Sequence, residues 1–248
     1  MKKSKEIISD KVAVVNQILP HVNKWAWDLF IDGAANNWMP TEFSMAKYIE
    51  QWKGGLLSEG EKLVVKRCLG FFAGSESLVA NNLLLSVFKF VTDPECRQYI
   101  LRQAYEESLH NLTVVYICDS LNLDIDEVYK AYNTIPSIKA KDEFLMNITS
   151  DINRPDFNIN TLEGKREFLR NIITYYIICE GIFFFSGFAM LLSFNRQNKL
   201  PGVGEQIQYT LRDESLHILS IALSKTTPRS GLRRLRKRRC SILILLWS

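Results

Sequence analysis

Histidine is scarce in this chain: only His21, His110 and His217 occur among 248 residues, so imidazole chemistry is confined to three positions. Proline and glycine are sparse too, at seven and twelve, and the long segments between them favour helix. The five cysteines (Cys68, Cys96, Cys118, Cys179 and Cys240) contain no CxxC spacing, which removes the usual cysteine-based metal and redox motifs. Four of them fall in apolar helical patterns, as free buried thiols do, and that usage suits a reducing cytoplasm. Met1 to Asp10 is charged and lacks a compact apolar run, so no cleavable signal peptide is expected.

A surplus of basic charge is also missing from most of the chain. The formal +4 arises from the last 24 residues, which carry eight Lys or Arg and no acid; the rest holds 23 basic and 27 acidic side chains. The body is thus mildly acidic, and nucleic-acid binding is not expected of it. A hydrophobic content of 47% beside 23% charged residues fits a folded chain with ample core.

Local signals place helices along most of the length. Val22 to Phe30 is an aromatic amphipathic turn or short helix, and a loop at 33–40 carries Trp38. Thr41 is expected to cap a short helix through Trp52. Ser58 and Glu61 have capping-box spacing and open a helix of about 30 residues, within which Gly70 and Gly74 imply close packing. Asp93-Pro94 restarts the chain as N-cap and first helical residue, and that helix runs to about Leu121. Shorter helices are expected at 124–132 and 139–148. A polar link at 150–160 follows, then a helix from Thr161, and Gly202 to Gly204 precede the last one. The 21 residues Ile172 to Leu192 contain one charge, Glu180, and are long enough to span a bilayer. A carboxylate near the centre of a lone span is costly, and no second body segment is as apolar. The segment is therefore read as the central helix of a bundle, with no membrane involved.

The chemistry is concentrated in two copies of Glu-x-x-His, Glu107/His110 and Glu214/His217, and two lone glutamates on apolar helices, Glu76 and Glu180. A three-residue offset puts Glu and His on one helix face, where the pair can hold one metal ion. Two such helices plus two single-Glu helices form the ligand pattern of ferritin-like dinuclear carboxylate proteins. The expected fold class is therefore all-α, a ferritin-like helical bundle with a dinuclear site in its core. Four carboxylates and two imidazoles suit Fe or Mn, and two M(II) ions neutralise four glutamates. Phe184 and Phe188 follow Glu180 at i+4 and i+8 and are expected to screen the cluster or simply to fill the core.

The segments NKWAWDLF, ANNWMPTE, FFAGSESLVANN, RQAYEESLH, YYIICEGIFFFSGF and LRDESLH resemble the small, radical-generating subunit of ribonucleotide reductase, over residues 22 to about 218. The resemblance implies six metal ligands, Glu76, Glu107, His110, Glu180, Glu214 and His217, for an Fe/Fe or Mn/Fe pair. It implies that Trp38 is a near-surface electron relay and that Asp213 links it to His110. It also implies a large-subunit partner, a homodimer, and supply of an oxidising equivalent for making deoxyribonucleotides. The position of the family's radical tyrosine is Val114, and Glu76 stands where many members have Asp. Both traits are similar to the class Ic branch, which stores the oxidising equivalent on a Mn/Fe cluster, although that branch usually has Phe where this chain has Val. Tyr116 and Tyr209 lie nearby in sequence, with nothing to mark either as a radical site. A ligand-binding oxidase using the same cluster is the alternative enzyme; a non-functional fragment is the third reading.

After His217 the chain departs from the family, ending ILSIALSKTTPRSGLRRLRKRRCSILILLWS. Seven of the eleven residues 229–239 are basic, and the apolar run after them is too short to span a bilayer. The abrupt change is read as out-of-frame translation near codon 219, against a nucleic-acid or membrane-surface tail. The expected organisation is a family domain over 1–222 lacking its final helices, then a basic and apolar tail over 223–248, and no nucleotide reduction by the chain as written.

Overall fold

The computed structural model describes residues 7–11 and 15–225, with side chains through residue 220. Its regular elements are helices, and the one β feature among the described residues is an isolated bridge between Ile8 and Val91. The helices are α1 (Lys24–Ala35), α2 (Ala46–Lys53), α3 (Glu59–Asn81), α4 (Pro94–Leu121), α5 (Ile125–Tyr129), α6 (Ala131–Thr134), α7 (Pro136–Asn153), α8 (Leu162–Ile173), α9 (Phe185–Arg196) and α10 (Pro201–Lys225). Two π-helical segments continue them without a break, Asn82–Val87 after α3 and Thr174–Phe184 between α8 and α9.

The caps act where the sequence places them. Ser58 Oγ accepts from the Glu61 amide at 3.3 Å while Glu61 returns a carboxylate to the Ser58 amide at 2.8 Å, so two donors at the start of α3 are satisfied reciprocally. Asp93 accepts from the Cys96 amide at 2.9 Å with Pro94 as first residue of α4, and Asn122 ends that helix in the left-handed conformation at φ 52°. Thr161 caps α8 through the Gly164 amide at 3.0 Å.

Other expectations are corrected. Thr41 caps nothing: it lies inside the 3-10 turn Pro40–Glu42, and Met45 precedes α2. The helix expected at 139–148 is the 18-residue α7, which Pro136 starts earlier and which runs through the first residues of the expected link. Gly202 and Gly204 lie in the first turn of α10 rather than before it. A Cβ on Gly202 would stand 1.9 Å from Tyr48 Oη, and one on Gly204 2.0 Å from Asn195 Nδ2, so both are glycine because neighbours press on the backbone. Gly70 does meet the packing expected of it: a Cβ there would be 2.6 Å from Ala131 Cβ.

The bundle is organised around four long elements. α3 packs along α4, α1 covers α4 and touches α10, and α10 lies along α9 and the π segment Thr174–Phe184. Phe71, Phe72, Phe184 and Phe188 interlock between α3 and the α8–α9 rod, with Phe72 and Phe188 stacked at 5.1 Å. Full burial of each such ring contributes about 1.5–3 kcal/mol. Two helical rods, Glu59–Val87 and Leu162–Arg196, are long and apolar enough to cross a membrane by length and composition. Each presents a buried carboxylate, Glu76 or Glu180, to the bundle interior. α10 passes codon 219 unbroken to Lys225, so the boundary expected at 222 falls inside a helix, and most of the expected tail, 226–248, lies outside the described residues.

Candidate metal centre

The four long elements each bring candidate metal-ligating side chains to one buried point. α3 supplies Glu76, α4 supplies Glu107 and His110, the central π segment supplies Glu180, and α10 supplies Glu214 and His217. All six side chains are buried. One donor atom from each of Glu76, Glu107, His110 and Glu214 lies within 4.8 Å of the others, and Glu107, Glu180, Glu214 and His217 form a second set with the same spread. Glu107 and Glu214 belong to both sets, so the arrangement is two adjoining positions with two shared carboxylates.

The imidazoles are aimed. His110 Nδ1 faces Glu214 Oε1 at 3.1 Å and Glu76 Oε2 at 3.4 Å, while its Nε2 faces Asp213 Oδ2 at 3.4 Å. His217 Nδ1 faces Glu107 and Glu214 at 3.3 Å and Glu180 at 3.6 Å. In each ring one nitrogen points into the carboxylate cluster and the other points out of it.

Several of these atoms make no hydrogen bond within the protein, only close ionic contacts with one another. Glu76 Oε2, both Glu107 oxygens, Glu180 Oε2, Glu214 Oε1 and His110 Nδ1 are buried without a hydrogen-bond partner. Buried polar atoms are nearly always satisfied, and converging orphan oxygens are especially costly. The electrostatics agree. Burial pushes the Glu76 and Glu180 carboxyls well above the usual range, and neighbouring glutamates add to it. Burial alone would lower His110 and His217, yet the carboxylates around them, Glu76 and Glu214 first, push both well up. Glu214 is held below its ordinary value against burial, chiefly by the His217 charge. Four carboxylates facing each other across unfilled valences are a set that fits two divalent cations of the Fe or Mn type.

Outside the ligands, the Trp38 indole N–H donates to Asp213 Oδ2 at 2.7 Å, and the same oxygen meets His110. Burial would raise Asp213, but the His110 hydrogen bond, then its charge and Trp38, hold its carboxyl below the ordinary range. Trp38 is 1% exposed and lies beneath the partly exposed rings of Phe43 and Tyr209, at 5.9 and 5.5 Å. Tyr116 donates to the Phe43 carbonyl at 3.1 Å. Val114 is buried in the apolar core one turn beyond His110.

Sequence reasoning passed over a second ring of groups. Gln103 donates to Glu180 Oε1 at 3.3 Å and accepts from Tyr176 Oη at 2.5 Å. Glu106 Oε2 meets His217 Nε2 at 2.8 Å, and Arg102 Nε donates to Glu106 Oε1 at 2.8 Å. The only signal in the sequence was position: Glu106 precedes Glu107 as Asp213 precedes Glu214.

Comparison with known proteins agrees with this geometry. Residues 15–227 match the family described as "Ribonucleotide reductase, small chain". The ribonucleoside-diphosphate reductase subunit beta of Chlamydia pneumoniae is 55% identical over 204 residues, 82% of this chain and 59% of that protein. The chain thus spans about three-fifths of the length of that relative. Among solved structures, the ribonucleotide reductase R2 subunit from Clostridium botulinum aligns with a TM-score of 0.77 at 25% identity, covering 87% of this chain and 65% of that one. An R2-like ligand-binding oxidase from Sulfolobus acidocaldarius aligns with a TM-score of 0.65, also at 25% identity, over 79% and 70%.

Proposed function

Because the chain belongs to the ribonucleotide reductase small-chain family, we propose that its bundle holds two metal ions and hands an oxidising equivalent to a large reductase subunit that makes deoxyribonucleotides. The observation that supports this reading over a self-contained oxidase is the outward path from the cluster: His110, Asp213 and Trp38 form one buried hydrogen-bonded line.

Glu76 and His110 would hold one ion and Glu180 and His217 the other, with Glu107 and Glu214 within reach of both positions. An Fe/Fe or Mn/Fe pair bound there would supply the oxidising equivalent. Asp213 accepts the Nε2 proton of His110 and keeps Nδ1 free for the ion. Trp38 fixes Asp213 and carries the electron. Phe184 and Phe188, both fully buried, line the core with apolar bulk and keep water from the centre. Val114, in the apolar core one turn beyond His110, offers no side chain to hold a radical, which is the trait shared with the class Ic branch. The 35-residue rod Leu162–Arg196 is a bundle element rather than a membrane span, because it brings Glu180 to partners in the protein. We place the protein in the cytoplasm, as a homodimer of a family that docks on a large subunit; the chain as written, which departs from the family after His217, is expected not to support nucleotide reduction.

The relay is tested by adding an external one-electron reductant to metal-loaded, oxidised chain. Trp38→Phe should slow electron uptake at least tenfold while metal content is unchanged. Equal rates in the two proteins would remove the relay and favour the oxidase.

A further inference from the structure

Each Glu-x-x-His pair is preceded by one more carboxylate, and the two are exchanged across the centre. Asp213, before Glu214 on α10, faces His110 of α4; Glu106, before Glu107 on α4, faces His217 of α10. The two halves differ in what holds that carboxylate. Asp213 is held by the neutral Trp38 indole at 2.7 Å, with Arg212 Nη2 at 3.4 Å from its other oxygen. Glu106 is held by Arg102, whose Nε donates to Oε1 at 2.8 Å, with both side chains almost fully buried.

Helix α1 is shaped around this ion pair. A Cβ on Gly33 would stand 2.9 Å from Glu106 Oε1 and 3.1 Å from Arg102 Cγ, so a larger residue would push the pair aside. Arg102 Nη1 also donates to Asn37 Oδ1 at 3.0 Å, tying the pair to the loop that carries Trp38. A guanidinium bonded to one oxygen leaves Glu106 no rotamer freedom and presents the other oxygen to His217.

We propose that Glu106, clamped by Arg102, is the positioning residue of the His217 half of the centre, as Asp213 is of the His110 half. The carboxylate accepts a hydrogen bond from the Nε2–H of His217, which fixes the tautomer and leaves the Nδ1 lone pair directed at Glu107, Glu180 and Glu214. Affinity for the ion at His217 then depends on Glu106, while affinity for the ion at His110 depends on Asp213. This rests on the dinuclear reading above. The competing role, a buried ion pair that merely joins α1 to α4, would affect both ions alike through folding.

Titration of the full chain with Mn(II), counting free ion by electron paramagnetic resonance, separates the two. The unaltered chain should bind two ions. Glu106→Gln should keep one ion at unaltered affinity and weaken the other about 10- to 100-fold. In a His217→Ala chain, which retains only the His110 position, adding Glu106→Gln should change nothing, whereas adding Asp213→Asn should weaken the remaining ion by the same factor. Two unaltered affinities in Glu106→Gln, or equal weakening with and without His217, overturns the proposal. If circular dichroism shows that the glutamine variant does not fold, Glu106→Asp keeps the charge beside Arg102 but withdraws it from His217, and the same two outcomes decide. Failure of the unaltered chain to bind two ions would overturn the dinuclear reading itself, and the proposal with it.

Discussion

Replacing Trp38 by Phe probes the line from the metal centre outward at its most constrained bond. The indole N–H meets Asp213 Oδ2 at 2.7 Å in a site where both residues are buried, and that oxygen's other neighbour is His110 at 3.4 Å. A hydrogen bond to a charged group contributes about 1.5–3 kcal/mol, and the smaller ring adds the cost of a partly filled void. Against a typical net stability of about 5–15 kcal/mol the loss is large. Chemical denaturation of Trp38→Phe, Asp213→Ala and the double variant isolates the bond from the packing. The coupling energy should be about 1.5–3 kcal/mol. Its pH dependence has a definite sign. Asp213 is depressed in the folded chain, so its contribution is present above the unfolded aspartate range and is lost as pH falls through the lower folded value. The coupling should therefore be full at neutral pH and fade in acid. A coupling below about 0.5 kcal/mol at pH 7 would refute the argument, because sites that do not interact are additive to within about that margin.

Two further substitutions carry firm expectations. Burial raises Asp142 to about 6, above its unfolded value, so the folded chain holds the extra proton and stability falls as pH rises between about 4 and 6. Asp142→Asn should remove up to about 3 kcal/mol of that slope, measured as the difference from the unaltered chain across the range; an unchanged difference refutes it. Val114→Tyr should cost about 1–3 kcal/mol through overpacking and should give a narrow organic radical signal on oxygen exposure, which the unaltered chain lacks; a folded, metal-loaded variant without the signal contradicts the reading of that position.

All six side chains that converge in the candidate site were legible because they are carried by local spacing. Glu-x-x-His reads at three residues' distance, and a lone glutamate in an apolar helix stands out against its neighbours. The caps at Ser58, Asp93 and Thr161 were legible for the same reason. What depends on a partner helix was not. Glu106 looks like any helix-surface glutamate until α10 brings His217 against it. The π segment Thr174–Phe184 was read as ordinary α-helix, since a hydrophobic stretch apolar on nearly every side has no phase to reveal a wider turn. Gly202 and Gly204 looked like a helix breaker because the pressure of Tyr48 and Asn195 on α10 is not written locally. The burial of Trp38 likewise depends on Tyr209, 171 residues away in the chain.

Anomalous diffraction from crystals of the metal-loaded chain tests the central claim most directly. Two peaks are expected within the carboxylate cluster, both touching Glu107 and Glu214, one also bound by Glu76 and His110 and the other by Glu180 and His217. No peak in that cluster, or a single ion held without one of the two histidines, would contradict the account.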